Sequence, residues 1–310
     1  TERMATTTSD RQLVVVVGPT ASGKTDLSLR LAEHYGAPIV SADSRQCYRG
    51  MAIGTAQPSG EELQRADHYF IASHELDDDL SCGRYEVQAL GLLERLFTDH
   101  RRVIAVGGSG LYVKALCEGM DELPQADPAL RRRLSERLSE EGLEPLAAEL
   151  ARLDPDYYAV VDRRNPARVV RALEVCLQTG LPYSRQRSGV RRVRPFGIVK
   201  TGIEMDRDVL YARIDRRVDR MMAEGLEAEA RLLYPYRHLN ALRTVGYAEL
   251  FDYFDGRLTL PEAVEAIKRN TRRYAKRQLT WFRRDPSVRW FRPDQFDDLI
   301  AHIDAEFAES

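Results

Sequence analysis

Cysteine is scarce in this 310-residue chain and poorly spaced for metal: Cys47, Cys82, Cys117 and Cys176 stand far apart, with no Cys-x-x-Cys pair and no histidine at ligand spacing. Neither a zinc site nor a disulfide framework is expected, and reduced, mostly buried thiols are. Long apolar runs are also missing; none approaches the ~20 residues that cross a bilayer, so no membrane span is expected. Residues 1–12 are polar rather than signal-like, Met4 behind Thr1-Glu2-Arg3 reads as the native start, and a cytoplasmic protein is expected. Charge of one sign is not in excess, since 46 lysines and arginines face 48 acids, so the net charge of -2 gives no global pull toward nucleic acid. There is no internal repeat and no low-complexity linker.

What is present suits a globular chain. Hydrophobic residues make up 43% and charged residues 30%, and the length exceeds one ordinary domain, so a large domain or a core with a smaller second one is expected. Residues 13–17 form a short, continuous, β-branched run, the pattern of a buried parallel strand. Residues 25–35 then place Leu27, Leu31 and Tyr35 at helical spacing, and residues 38–42 read as a second strand. Residues 87–97 predict another helix with Leu90, Leu93 and Phe97 on its core face, and residues 102–106 a third strand. This alternation predicts an α/β, doubly wound parallel sheet.

From residue 121 to 194 the texture changes to short helical stretches broken at Asp127-Pro128, Asp154-Pro155, Asn165-Pro166 and Leu181-Pro182, without a strand pattern. A helical insertion is expected there, within a core of residues 1–120 and 195–310. Strand chemistry returns at residues 196–205, after which Asp206 is expected to cap a helix with Leu210, Ile214, Val218 and Met221 on one stripe. A last long helix is expected over residues 261–282, with Pro261 in its first turn.

The strongest motif is Gly18-Pro19-Thr20-Ala21-Ser22-Gly23-Lys24-Thr25, which has P-loop spacing and lies between a predicted strand and a predicted helix. Its glycines let backbone N–H groups turn around a phosphate, the helix N-terminus adds partial positive charge, Lys24 reaches the terminal phosphate and Thr25 offers a hydroxyl to Mg²⁺. The motif leaves kinase, NTPase and diphosphate-leaving-group transferase open. Asp43 begins the segment after the second strand, at the edge where such sheets build sites, although a solvated turn aspartate would read the same. Gly107, Gly108, Ser109 and Gly110 end the third strand at that edge, where a tight turn explains them equally well.

Basic residues are clustered. Arg185, Arg187, Arg191, Arg192 and Arg194 form one group; Lys268, Arg269, Arg272, Arg273, Lys276, Arg277, Arg283 and Arg284 form another without an intervening acid, interleaved with Tyr274, Trp281 and Phe282. A charge run alone is usually a solvated face, but this density in a chain of near-zero net charge points toward RNA.

Taken together, GPTASGKT, SADSRQCYRGMAIGTAQP (residues 41–58), GGSGLY, NPARVVRALEV (165–175), RTVGYAEL (243–250) and RRYAKRQLTWFRR (272–284) resemble the bacterial tRNA dimethylallyltransferase family, in order and over nearly the whole chain. Two departures are visible: Ser109 stands where the family often has Thr, and Gln57 where it often has Lys, which drops a cation near the entrance. The resemblance implies a P-loop NTPase-like fold with a helical insertion domain. It also implies transfer of a dimethylallyl group from dimethylallyl diphosphate to N6 of adenosine-37 beside the anticodon of tRNA.

On that resemblance, residues 18–25 hold the diphosphate, Lys24, Thr25 and Asp43 are catalytic, and Asp43 is the general base. Asp43, Ser44, Arg45 and Gln46 line the pocket of a flipped adenine. Ser109, Arg131, Ala167, Arg168, Val169, Val170, Arg171, Arg243, Thr244, Val245, Gly246, Tyr247 and Ala248 meet the tRNA, and the insertion grips its anticodon arm. From their spacing, Arg213 and Arg217 lie one helical turn apart and reach the diphosphate, unless they belong to a solvated face. Arg272, Arg273, Lys276 and Arg277 are assigned to tRNA phosphates. Mg²⁺ is the expected cofactor, with Thr25 its protein ligand, and a monomer is expected. The rival readings are a small-molecule P-loop kinase, a transferase acting on free adenine nucleotide, and a non-enzymatic RNA-binding module.

Overall fold

The computed structural model describes residues 10–309 except Asp79, Glu122, Gln125, Ala126, Ser188 and Val190; the expected start at Met4 lies outside the described residues. The chain runs β1 (Gln12–Val17), α1 (Lys24–Tyr35), β2 (Ile39–Ser41), α2 (Gly60–Arg65), β3 (His68–Tyr69), α3 (Cys82–Asp99), β4 (Arg102–Gly107) and α4 (Gly110–Glu118). Five helices follow without a strand among the described residues: α5 (Pro128–Glu141), α6 (Leu143–Leu153), α7 (Pro155–Val160), α8 (Pro166–Thr179) and α9 (Tyr183–Gln186). The chain returns through β5 (Gly197–Ile203), α10 (Arg207–Ala223), α11 (Leu226–Leu233), α12 (Tyr247–Phe254), α13 (Leu260–Phe282), β6 (Val288–Phe291) and α14 (Phe296–Glu309).

The six strands form one sheet in the order β3-β2-β4-β1-β5-β6, every pairing parallel. β1 is buried along its whole length because both edges are hydrogen-bonded and both faces are covered. Leu13, Val15 and Val17 join the core beneath α3, α4, α12 and α13, while Val14 and Val16 join the opposite core beneath α1 and α14. This explains why the strand is continuously apolar rather than alternating. The parallel sheet flanked by helices, with the P-loop between β1 and α1, is the P-loop NTPase-like arrangement.

β2, β4 and β1 are neighbours, so the turns that leave their carboxyl ends lie side by side. The turn after β4 packs tightly against the segment after β2: a Cβ on Gly107 would lie 2.1 Å from the Ala42 carbonyl oxygen. No larger residue fits there.

The chain divides into two compact units, one of Thr1–Glu118 with Val193–Ser310 and one of Gly119–Arg192. The second unit has its own core, centred on Leu134, Leu146, Leu150, Val169 and Leu173. Its Asx-Pro pairs begin helices as well as separating them. Asp127 accepts the Ala129 and Leu130 amides, Asp154 the Tyr157 amide and Asn165 the Arg168 amide, each with proline at the first helical position. Asp206 departs from expectation: it stands at the N-cap of α10 but its side chain caps no amide.

Arg194 also departs from its assignment to an RNA-facing cluster. It lies in the first unit, its side chain 6% exposed, and donates to Glu86 Oε1 at 2.9 Å and to the carbonyls of Ala115 and Leu116 at 2.6 and 3.0 Å. A buried guanidinium so engaged holds α3 against α4. Arg194→Ala leaves Glu86 buried without this partner and should cost about 3–5 kcal/mol of stability. Denaturant unfolding should show the loss as a lowered midpoint.

Candidate functional site

The carboxyl edge of β1, β2 and β4 opens into a cleft of about 1010 Å³. Among its walls are residues 20–21 and 23–25 of the P-loop, Asp43 to Gln46, Gly107 and Gly108, Arg213 and Arg217 from α10, Arg243 to Gly246, and Tyr274, Arg277 and Gln278 from α13. All belong to the first unit.

The P-loop wraps the start of α1, with Gly23 in the left-handed region at the N-cap. The Lys24 amine donates to the Pro19 carbonyl at 2.7 Å, so it closes the loop on itself. Burial of that amine, with Arg217 beside it, pulls Lys24 from the usual lysine range down to about 7, against the opposing effect of Asp43. Arg213 Nε donates to the Ala21 carbonyl at 2.9 Å and Arg217 Nη1 to the Thr20 hydroxyl at 3.3 Å. Both therefore flank the loop, Arg217 half-buried and Arg213 exposed. Burial, then Arg220 and Arg213, lowers the proton affinity of Arg217. The Ser22 hydroxyl is buried with no hydrogen-bond partner among the described residues, an orphan that a phosphate oxygen would satisfy.

Asp43 faces this loop across the cleft. Its Oδ1 accepts the amides of Arg45 at 2.9 Å and Gln46 at 3.3 Å, which fixes the carboxylate plane in an Asx turn. Ser109 Oγ accepts the Ser44 amide at 2.9 Å and donates to Ser44 Oγ at 3.1 Å, so it ties the end of β4 to the Asp43 segment. Gln46 Nε2 donates to the carbonyls of Thr55 and Ala56 at 3.2 and 2.8 Å. Gln57 does likewise to Gln46 and Tyr48 at 2.9 and 2.8 Å. The amide at position 57, read in sequence as a lost cation, here caps two carbonyls of the segment after β2.

Glu229 in α11 carries no signal in the sequence. It accepts the amides of Ile53 and Gly54, both at 2.9 Å, and the Tyr247 hydroxyl at 2.6 Å. Tyr247 is accordingly a correction: expected at the RNA surface, it is fully buried against Gly54, and burial followed by Glu229 raises its hydroxyl pKa. Val169 is the second correction, being part of the core of the second unit, where its β-branched side chain packs instead of meeting a ligand. Within that unit Ala167 and Arg168 are exposed and Val170 is half-buried. Arg131 and Arg171 both hold the Glu174 carboxylate, which is 1% exposed, at 3.1 and 2.6 Å. In the first unit, Arg243 to Gly246 and Ala248 line the cleft.

The cluster on α13 is less cationic than it reads. Arg272 pairs with Asp215 at 2.5 Å and Lys268 with Asp219 at 2.7 Å, both acids on α10, and Arg283 pairs with Glu204 at 3.3 Å. Arg272 is thus engaged by a carboxylate. Arg269, Arg273, Lys276, Arg277 and Arg284 remain exposed, and Arg277 reaches the cleft. Of the interleaved aromatics, Phe282 is core, Trp281 is partly exposed beside Gly110, and Tyr274 lines the cleft with Asp43 nearby.

The IPP transferase family model matches residues 46–285. The tRNA dimethylallyltransferase 1 of Bacteroides thetaiotaomicron is 50% identical over 291 residues, covering 94% of each chain. The tRNA dimethylallyltransferase 2 of Porphyromonas gingivalis is 52% identical over 287 residues, covering 93% of this chain and 96% of its own. Among solved structures, the full-length tRNA isopentenylpyrophosphate transferase of Bacillus halodurans superposes with a TM-score of 0.72 at 37% identity, covering 96% of this chain and 97% of its own.

The Lys24 environment has a measurable consequence. With a pKa of about 7 the amine is mostly neutral at pH 8, and an anion in the loop restores its charge. Binding of inorganic diphosphate at pH 8 should therefore take up about one proton more in the wild type than in Lys24→Arg, whose guanidinium is always charged. At pH 6 the amine is already protonated and the difference should vanish. Calorimetry in two buffers of unlike ionisation enthalpy measures it; equal uptake by both proteins at pH 8 would contradict the assignment.

Proposed function

The chain belongs to the IPP transferase family, and from that premise we propose that it transfers a dimethylallyl group from dimethylallyl diphosphate to N6 of adenosine-37, beside the anticodon of tRNA, yielding N6-isopentenyladenosine and diphosphate. The observation that carries the reading is the placement of one amide-fixed carboxylate, Asp43, across a single cleft from the P-loop.

Asp43 is the general base. As N6 attacks the allylic carbon, the N–C bond forms, the C–O bond breaks with its electron pair leaving on diphosphate, and the N6 proton passes to the carboxylate. Lys24, Arg213, Arg217 and the amides of the P-loop stabilise the charge that collects on the leaving group. Mg²⁺ is an ion held by few protein oxygens and by the phosphates themselves, and Thr25 lines the cleft beside Lys24 with a hydroxyl to offer. Thr25 would hold it, and when bound it neutralises diphosphate charge. Adenosine-37 must leave its stack to reach Asp43, at a cost of a few kcal/mol. Phosphate contacts by Arg273, Lys276 and Arg277 on α13, and by the unit Gly119–Arg192 on the anticodon arm, offset that cost.

The test is incubation with labelled dimethylallyl diphosphate and Mg²⁺, without ATP, and with either tRNA or AMP as acceptor. Label should enter tRNA alone, and Asp43→Asn should lower kcat by about 10² to 10⁴ with little change in KM for the donor. Label in AMP, or a need for ATP hydrolysis, would overturn the reading. For RNA binding, neutralising Arg273 and Lys276 should reduce the slope of log affinity against log salt by about 0.7 to 0.9 per lost contact. An unchanged slope would return those residues to an ordinary solvated face.

A further inference from the structure

Gln278 lies on α13 among the cations, yet it is 5% exposed and faces inward. Its Oε1 accepts the Thr20 amide of the P-loop at 2.8 Å, and its Nε2 donates to the Gly108 carbonyl at 3.0 Å. The side chain thus joins three segments: the P-loop, the turn after β4 and the helix whose outer face carries the exposed arginines. We propose that Gln278 is a positioning residue that sets the P-loop for the diphosphate.

The chemistry of the two partners dictates the residue. Thr20 presents an N–H and needs an acceptor; Gly108 presents a carbonyl and needs a donor. In this buried place a primary amide supplies both at the observed spacing, whereas a carboxylate sets two acceptors against one donor and one acceptor, and an aliphatic side chain leaves both backbone groups unpaired. The turn after β4 is shaped to admit it: a Cβ on Gly108 would lie 2.2 Å from Gln278 Nε2. Thr20 in turn meets Arg217 through its hydroxyl, so the amide also fixes the side of the loop from which that guanidinium reaches in. A residue that looks in sequence like part of an RNA-binding run therefore acts on the donor site.

This inference rests on the proposed diphosphate site, and inorganic diphosphate with Mg²⁺ is the probe that separates the two. If the wild type binds no diphosphate, the site assignment fails. If it does, Gln278→Leu should bind about tenfold more weakly or worse, the effect of two buried groups left unpaired. tRNA affinity should stay near normal, because the exposed cations of α13 are untouched. Gln278→Glu adds a readout that a purely structural role does not move. Its protonated form can donate to Gly108 as the amide does, so its diphosphate affinity relative to the wild type should recover as pH falls through the new carboxyl's pKa. Gly108→Ala, which displaces the amide from the other side, provides an independent variant, and its effect should not add to that of Gln278→Leu. Unchanged diphosphate affinity in folded Gln278→Leu, additive losses in the double variant, or equal loss of tRNA and diphosphate binding would overturn the proposal.

Discussion

The hydrogen-bond ladders on both edges of β1 are the constraint on which the cleft depends. Buried strand edges must pair, and β1 meets β4 on one side and β5 on the other along its entire length. That pairing brings the P-loop beside the turn after β4, and through β4 beside the segment after β2. Three short segments far apart in the chain become one edge, and neither the loop nor Asp43 has a partner without it.

Around that edge the protein relies on neutral amides and carboxylates to hold backbone in irregular shapes. Gln46 and Gln57 brace the two halves of residues 46–57 against each other, Glu229 holds the amides of Ile53 and Gly54, and Gln278 spans the P-loop and the turn. Backbone outside helices and strands has no regular partner, and these side chains, Gln278 buried and the others half-buried, supply one. Lys24, Asp43, Arg213 and Arg217, among the charged groups that face the cleft, are then carried on a frame whose irregular backbone already has partners.

Local patterns in the sequence were sufficient for β1, α1, β4, α13 and the P-loop, because β-branched runs, 3.6-residue periodicity and glycine spacing are short-range signals. β3 and β6, two and four residues long, carry too few positions for a pattern. What stays hidden in the sequence has a common origin in partners that are remote in the chain. Nothing near Arg272 or Lys268 announces that Asp215 and Asp219 on another helix will answer them. Tyr247 and Val169 sit in motif segments yet point into cores, since a helix that offers one face to a ligand buries another. Glu229, and the carbonyl-capping role of Gln57, are equally invisible without the folded chain.

The same double pairing of β1 sets a schedule for biosynthesis. A chain emerging from a ribosome amino end first makes β4, the first flanking partner of β1, roughly 95 residues before β5, and the unit Gly119–Arg192 is translated in between. At about 5–20 residues per second that interval lasts roughly 5–19 seconds. Throughout it the most apolar strand of the molecule has one open edge, a template for pairing with any other nascent chain nearby. A compact helical unit translated during the wait can collapse on its own core, so the delay falls on the strand alone. The side chains that hold the P-loop arrive later than β5, Arg213 and Arg217 with α10 and Gln278 with α13, so the loop at the end of β1 is among the last parts of the first unit to gain all its partners.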